Sequence, residues 1–176
     1  MLKIVDYDIV FAEVPDEVTL ALSLSRCPIR CEGCHSPQLW RDIGEPLTPQ
    51  RLEAIVGRYL GGITCLCFMG GDGDLESLLE LTDFARRQFP GLRRAWYSGR
   101  QQMPRGISPL HWDYVKLGPY IPSRGPLNQA STNQRLYRIQ PDGEAHDITY
   151  RFQRAATAVA PHDAPRPPQG HPAAPA

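Results

Sequence analysis

The chain has 176 residues, a length that suits one domain with its own hydrophobic core. It carries 19 basic and 19 acidic residues, and this balance excludes a global field that would attract nucleic acid or an anionic membrane. No apolar run approaches the roughly 20 residues that cross a bilayer. We therefore expect no nucleic-acid partner and no membrane partner, and recognition through local surfaces.

The first residues and the cysteine count indicate a cellular compartment. The stretch Met1-Leu2-Lys3-Ile4-Val5-Asp6 contains no charged-then-apolar leader, and the five cysteines are an odd number. Both features argue against a disulfide framework and favour a reducing environment, where thiols bind metals or carry out redox chemistry. The expected location is therefore cytoplasmic.

The final stretch of the chain differs in composition from the rest. Residues 155–176 are mostly alanine and proline, with scattered histidine, arginine and aspartate. Because this segment has no periodic apolar face, it cannot offset the entropy lost on ordering. We expect a folded domain over residues 1–154 and a disordered tail over residues 155–176.

Two neighbouring strands are predicted at the start of the chain. Residues 2–14 and 18–25 are rich in apolar side chains and flank the turn residues Pro15-Asp16-Glu17. The second strand runs directly into Cys27, so the loop that follows leaves the C-terminal end of a strand. That edge is where α/β folds commonly build their sites.

The rest of the chain alternates between strand and helix patterns. The predicted elements are a helix over 49–60 capped by Thr48 with Pro49 at its first position, a strand over 63–68, a helix over 75–89 capped by Asp74 or a neighbour, strands over 94–98 and 113–118, and a hairpin over 136–149. The β-α-β-α-β alternation predicts an α/β fold with a parallel sheet.

Three thiols, Cys27, Cys31 and Cys34, lie within eight residues in the loop after the second predicted strand. A structural zinc site needs four ligands, and a four-iron cubane that only transfers electrons normally has four thiolates. Three thiolates on such a cluster would leave one iron with an open coordination position. An open position on a metal is where substrate chemistry takes place.

Other interpretations of the cysteines stay open on spacing alone. A zinc knuckle could use Cys31 and Cys34 as its CxxC half, with Cys27 and a distant histidine completing four ligands. Cys65 and Cys67 lie two apart on a predicted strand and share one of its faces. Two thiols are too few for a further cluster, so we interpret them as packing residues.

The CxxxCxxC spacing resembles that of the radical S-adenosylmethionine (SAM) superfamily. The resemblance implies that the three cysteines hold a 4Fe-4S cluster whose free iron is chelated by the amino and carboxylate groups of SAM. It also implies that Gly70-Gly71-Asp72 corresponds to the GGE-type loop that binds the amino group of SAM. Asp72 replaces the glutamate of that loop, and both side chains are hydrogen-bond acceptors.

Three further residues are candidates for contact with SAM. Ser98 ends the next predicted strand at the same edge, so its hydroxyl could reach the ribose or the carboxylate. Gly33 and His35 flank the third cysteine, and we expect them to place backbone close to SAM.

A narrower family shares more of the sequence. The loop Glu32-Gly33-Cys34-His35 is similar to that of anaerobic ribonucleoside-triphosphate reductase activating proteins, and so are residues 68–72, 96–100, and 115–120 through 132–137. The resemblance covers roughly residues 1–140. It implies a small, open-sided partial (β/α) barrel of the radical SAM type, which the predicted hairpin follows.

The family resemblance also implies an activity. SAM would be cleaved reductively, and its 5′-deoxyadenosyl radical would take a hydrogen atom from a glycine of the anaerobic reductase. The electron would come from a reduced flavodoxin or a ferredoxin-like donor. The alternatives are an activase for another glycyl-radical enzyme, a radical SAM enzyme with a small substrate, and a non-enzymatic zinc module that binds a partner.

Overall fold

Eight strands form one sheet in the computed structural model, which describes residues 1–153. The predicted tail over residues 155–176 lies outside the described residues. The strands are β1 (Lys3–Val10), β2 (Thr19–Leu24), β3 (Glu45–Pro46), β4 (Cys65–Met69), β5 (Arg93–Tyr97), β6 (Tyr114–Leu117), β7 (Arg135–Ile139) and β8 (Ala145–Asp147).

The sheet has the order β3-β1-β2-β4-β5-β6-β7-β8 and combines parallel and antiparallel pairs. Its centre, β2-β4-β5-β6, is parallel, as the alternation of predicted elements requires. The β1–β2, β6–β7 and β7–β8 pairs are antiparallel, so the prediction of a parallel sheet holds only for the centre. No helix lies between β1 and β2 or between β6 and β7, whereas parallel neighbours need a crossover connection that is usually a helix. The predicted hairpin is confirmed as β7 and β8.

Two helices cover one face of the sheet, and both begin where the capping residues predict. In α1 (Pro49–Gly57) the Thr48 hydroxyl accepts a hydrogen bond from the Arg51 amide, and in α2 (Leu75–Gln88) the Asp74 carboxylate accepts one from the Ser77 amide. Within residues 1–153, neither these helices nor any other is long and apolar enough to cross a membrane.

The end of α1 differs from the prediction. The helix ends at Gly57, and the chain turns where the sequence pattern predicts helix as far as residue 60. The Gly62 amide donates to the Tyr59 carbonyl, which closes a turn, and Gly61 takes a positive φ of 89°. The helix itself ends at a right-handed C-cap, Arg58, whose amide donates to the Ile55 and Val56 carbonyls.

The sheet has a different apolar core on each face. On the helix side, residues such as Leu22, Phe68 and Trp96 pack with both helices in the main core. The other face carries a smaller cluster of buried residues, namely Val14, Cys65, Cys67, Ala95, Tyr114 and Leu136. Among the described residues the sheet is open, with β3 and β8 at its edges. The C-terminal ends of the four parallel strands therefore meet at one accessible rim.

Candidate metal centre

The three loop cysteines lie directly beyond the C-terminal end of β2. The loop is tied to the segment that returns from it, because the Cys27 amide donates to the Leu39 carbonyl at 3.0 Å and the Arg26 amide donates to Arg41 at 3.1 Å. All three thiols are free and half-buried. They are thus held at the rim of the sheet and remain partly accessible.

Each cysteine of the loop directly follows a residue with a left-handed backbone. The φ angles are 61° at Arg26, 51° at Arg30 and 67° at Gly33. A positive φ is uncommon for residues other than glycine, and surrounding structure must stabilise it. The chain therefore turns immediately before each thiol.

Backbone amides donate hydrogen bonds to two of the thiols. The Ser36 amide donates to the Cys34 sulfur at 3.4 Å. Burial raises the pKa of the Cys27 thiol, while hydrogen bonds from the Ile29 and Arg30 backbone lower it. Amide hydrogen bonds to sulfur stabilise thiolate ligands and tune the clusters they hold. The loop thus has the donor set that an iron–sulfur cluster requires.

Two glycines let the cysteine loop approach neighbouring backbone closely. A Cβ added at Gly99 would lie 2.8 Å from the Ile29 side chain, and one added at Gly73 would lie 2.6 Å from the Arg26 carbonyl oxygen. Both distances are shorter than carbon can approach without a shift. The turns after β4 and β5 therefore form a cradle under the cysteine loop.

A cavity of about 190 Å³ opens beside the cysteine loop. Its walls bring together residues that lie far apart in the sequence. Five of them are residues that the sequence analysis predicts for the site: Cys27, Cys34, Gly70, Asp72 and Ser98. The apolar part of the wall consists of Leu24, Leu39, Trp40, Met69 and Tyr97.

Asp72 joins the turns that follow β4 and β5. Its carboxylate accepts hydrogen bonds from the Ser98 hydroxyl at 2.6 Å and from the Gly99 amide at 3.2 Å. The Arg100 guanidinium lies 3.2 Å from the same carboxylate and also donates to the Asp72 carbonyl at 2.9 Å. Asp72 and Ser98 thus belong to one buried network, and both residues also border the cavity.

Gly70 and Gly71 have positive φ angles of 107° and 89°. A Cβ on Gly71 would meet the Leu78 and Leu24 side chains, and one on Gly70 would meet the Leu24 carbonyl. The buried Trp96 indole donates to the Gly70 carbonyl at 2.8 Å. Turn geometry and packing are sufficient to require glycine at both positions, and Gly70 alone of the two borders the cavity.

Gly33 and His35 are exposed and lie next to the segment that follows β6. A Cβ on Gly33 would lie 3.1 Å from Pro122, and the His35 ring lies 5.4 Å from the Tyr120 ring. Neither residue is among the described residues that line the cavity. They connect the cysteine loop to the segment that follows β6.

Lys116 is a site residue that the sequence analysis does not identify. It lies on β6, is only 9% exposed, and borders the same cavity. Its ammonium donates to the Gly118 carbonyl at 2.7 Å. Burial lowers the pKa of Lys116 to about 8, and the three loop thiols and Asp72 oppose this shift. A lysine between Val115 and Leu117 in an apolar strand is the signal that could have identified it.

Within residues 1–153, no three histidine, cysteine, aspartate or glutamate side chains are grouped closely enough to hold one metal ion. A zinc ion draws four ligands onto one centre, whereas each thiolate of a cubane binds a different iron.

Cys65 and Cys67 lie in the small core on the face of the sheet opposite the helices. Both are completely buried, and burial raises their pKa values far above that of a free thiol. Protonated, buried thiols are poor metal ligands and behave as apolar packing groups. Their environment agrees with the prediction that they are packing residues.

Comparison with known proteins supports an iron–sulfur cluster. Residues 17–103 match the family model described as "4Fe-4S single cluster domain". The matched span includes the three loop cysteines, the Gly70-Gly71-Asp72 turn and Ser98, and it supports binding of one 4Fe-4S cluster. Neither a curated protein nor a solved structure matches the chain.

Proposed function

We propose that this chain, whose residues 17–103 match a single-cluster 4Fe-4S domain, is a radical SAM activating enzyme for anaerobic ribonucleoside-triphosphate reductase. One observation carries the proposal: Cys27 and Cys34 share a cavity with the acidic residue Asp72 and the basic residue Lys116. A three-thiolate centre beside a cavity with groups of both charges suits a ligand that is itself zwitterionic, as the methionine part of SAM is.

The cysteine loop would hold the cluster through Cys27, Cys31 and Cys34. When bound, the cluster supplies one electron to the sulfonium of SAM. Hydrogen bonds from the Ser36 amide and from the backbone at Ile29 and Arg30 stabilise the thiolates. The apolar wall of the cavity excludes water, which strengthens electrostatic interactions with a charged ligand.

Lys116 and Asp72 provide opposite charges for the two ends of the methionine group. The Lys116 ammonium forms no ion pair within residues 1–153 and is bonded to backbone carbonyls, so it is available to the SAM carboxylate. Asp72 is held by Ser98 and Arg100, and a carboxylate oxygen can accept a further bond from the SAM amino group. Together they would orient the sulfonium toward the cluster.

The reaction balances with one external electron. SAM accepts that electron and its C–S bond breaks, which leaves methionine and a 5′-deoxyadenosyl radical. The radical takes a hydrogen atom from a glycine Cα, so the products are 5′-deoxyadenosine and a glycyl radical. The open rim of the sheet, bordered by edge strands β3 and β8, is compatible with a peptide segment as substrate.

Cluster content and SAM cleavage test the chemistry. The anaerobically purified protein should be coloured, contain iron rather than zinc, and convert SAM to methionine and 5′-deoxyadenosine when dithionite is added. A colourless, zinc-containing protein that leaves SAM intact would refute the proposal and favour the zinc module.

Glycyl-radical formation tests the partner. The reduced protein is mixed with SAM and with candidate glycyl-radical enzymes, and electron paramagnetic resonance records the glycyl-radical doublet. We expect the doublet with anaerobic ribonucleoside-triphosphate reductase. If the doublet forms only with another glycyl-radical enzyme, the proposed reaction stands and the proposed partner is wrong. If SAM is cleaved and no doublet forms, the result favours a radical SAM enzyme with a small substrate.

A further inference from the structure

An open groove borders the cysteine loop and shares one lining residue, Trp40, with the cavity. It has a volume of about 790 Å³ and is lined by Arg30, Pro37, Gln38, Trp40, Arg41 and Asp42. The Cys27 amide is hydrogen-bonded to the Leu39 carbonyl, so the segment that forms the groove is attached directly to a predicted cluster ligand. A partner seated in the groove would therefore lie beside the cluster.

The groove has an excess of positive charge. Two of its lining residues, Arg30 and Arg41, have exposed side chains that form no ion pair within the described residues. The Asp42 carboxylate, which also lines the groove, is already paired with Lys3 at 2.8 Å. Between Arg26 and Arg41 the sequence contains one acidic residue, Glu32. A negatively charged surface would be attracted here and would meet little repulsion.

Trp40 forms a wall that the groove shares with the cavity. Its side chain borders the groove beside Arg30 and Arg41, and it also borders the cavity that contains Cys27 and Cys34. One aromatic side chain thus separates the outer groove from the cluster site. Its indole nitrogen is buried and has no hydrogen-bond partner among the described residues.

We infer that the groove formed by Arg30, Trp40 and Arg41 is the docking site for an acidic one-electron carrier protein that reduces the cluster. This inference rests on the proposed function, since the cluster must be reduced before SAM is cleaved. In the step, the carrier loses one electron and the oxidised cluster gains it, and no bond in this chain forms or breaks. Charge complementarity positions the carrier at the groove, and Trp40 borders both the groove and the cavity that contains Cys27 and Cys34.

Charge reversal in the groove provides the test, with a flavodoxin as the probe because flavodoxins are acidic. The double variant Arg30→Glu/Arg41→Glu is loaded with cluster and compared with the wild-type protein. Stopped-flow absorbance follows cluster reduction by the flavodoxin hydroquinone at low and high ionic strength. Equilibrium binding to oxidised flavodoxin is measured separately and requires no activity. We expect the second-order rate constant and the affinity each to fall about tenfold or more at low salt.

Two control variants isolate the effect of location and charge. Arg87→Glu reverses an exposed, unpaired charge on α2, far from the loop in sequence, and should leave both measurements unchanged. The conservative variant Arg30→Lys/Arg41→Lys keeps the charges and should restore most of the rate. Photoreduced deazariboflavin, a small neutral donor, should reduce the wild-type and charge-reversed clusters equally fast.

The outcomes separate this inference from the proposed function. If the charge-reversed variant binds flavodoxin and accepts its electron as the wild-type protein does, the docking site is refuted while SAM cleavage stands. If reversal instead weakens binding only of a glycyl-radical partner, the groove belongs to that partner and the inference fails. If the wild-type protein holds no reducible cluster, the proposed function itself fails.

Discussion

Two groups of cysteines in this chain show how environment decides the chemistry of one residue type. Cys27, Cys31 and Cys34 are half-buried in a turning loop at the rim of the sheet. Cys65 and Cys67 are fully buried side by side on β4, and burial raises their pKa values strongly. The first group meets the requirements of ligands, and the second those of packing residues.

The difference follows from what surrounds each sulfur atom. A thiolate ligand needs access to the metal and hydrogen-bond donors that stabilise its charge. The loop thiols have backbone amides nearby, whereas the thiols of β4 contact apolar groups such as Val14 and Leu136. Spacing alone identifies which cysteines are close in sequence, and the surroundings determine which can ionise.

Replacing the cysteines one at a time should give the largest effects and tests directly whether the two groups differ in function. Cys27→Ala, Cys31→Ala and Cys34→Ala should each abolish reductive SAM cleavage and lower iron content, because each removes one of three ligands. Cys65→Ala and Cys67→Ala serve as controls and should retain both properties. Full activity in any of the first three variants would contradict the assignment of the cluster to this loop.

Alkylation of the cluster-free protein sharpens the comparison by measuring reactivity directly. Iodoacetamide should modify the three loop thiols at least about tenfold faster than Cys65 and Cys67, since only accessible thiolates react. Mass spectrometry of peptides reports the modification at each site. Denatured protein should be modified at all five cysteines, and equal rates in the native protein would show that the two environments do not differ.

Replacing Asp72, whose carboxylate is buried next to the cysteine loop, tests whether this side chain stabilises the fold and binds SAM. Asp72→Ala should destabilise the protein by roughly 2–4 kcal/mol, because Ser98 and Arg100 lose their shared partner. It should also weaken SAM binding. Chemical denaturation and equilibrium SAM binding measure the two effects. The exposed carboxylate of Glu80 on α2 provides the control, since Glu80→Ala should change neither.

The smallest expected effect concerns Lys116. Because its pKa is lowered from 10.5 to about 8, the unfolded chain binds more protons than the native one between those values. Wild-type stability should therefore rise with pH across that window. Lys116→Met should stabilise the cluster-free protein at neutral pH by roughly 1–2 kcal/mol, and this advantage should disappear above the unfolded pKa. SAM affinity should fall in the same variant.

Denaturation curves at neutral pH and at about pH 10 check the sign of this prediction. The only other lysine of the chain, Lys3, is more exposed and paired with Asp42. Lys3→Met is therefore the matched control and should show no such dependence on pH. A loss of stability in Lys116→Met at neutral pH would mean that the hydrogen bonds of the ammonium outweigh the cost of burying it.

Local signals in the sequence predict much of the fold correctly. Thr48 and Asp74 mark the starts of the two helices because a cap needs only a short polar side chain beside free backbone amides. The apolar runs around Leu22 and Phe68 predict central strands, because such a run is likewise a property of neighbouring residues in the sequence. The early end of α1 is missed, since turn formation at Tyr59 and Gly61 competes with an apolar pattern that continues through Leu60.

Some features of the site are visible in short sequence motifs, and others depend on contacts between residues far apart in the chain. The spacing of Cys27, Cys31 and Cys34 is a local property, and so is the Gly70-Gly71-Asp72 turn. The engagement of Asp72 by Arg100 and the position of Lys116 beside the cavity are not, because these residues meet only through parallel strand pairing. Strand order depends on packing between segments far apart in the chain, which no local pattern encodes.

By itself, then, the sequence determined the three-thiol loop, the capped helices and the alternation that makes the central strands parallel. These depend on interactions within a few residues. The tertiary structure alone decided that β6 brings a buried ammonium to the cysteine loop, and that Trp40 separates the cavity from a positively charged groove. Such contacts arise when the ends of separate strands meet at one rim, and they are fixed by the packing of the whole sheet.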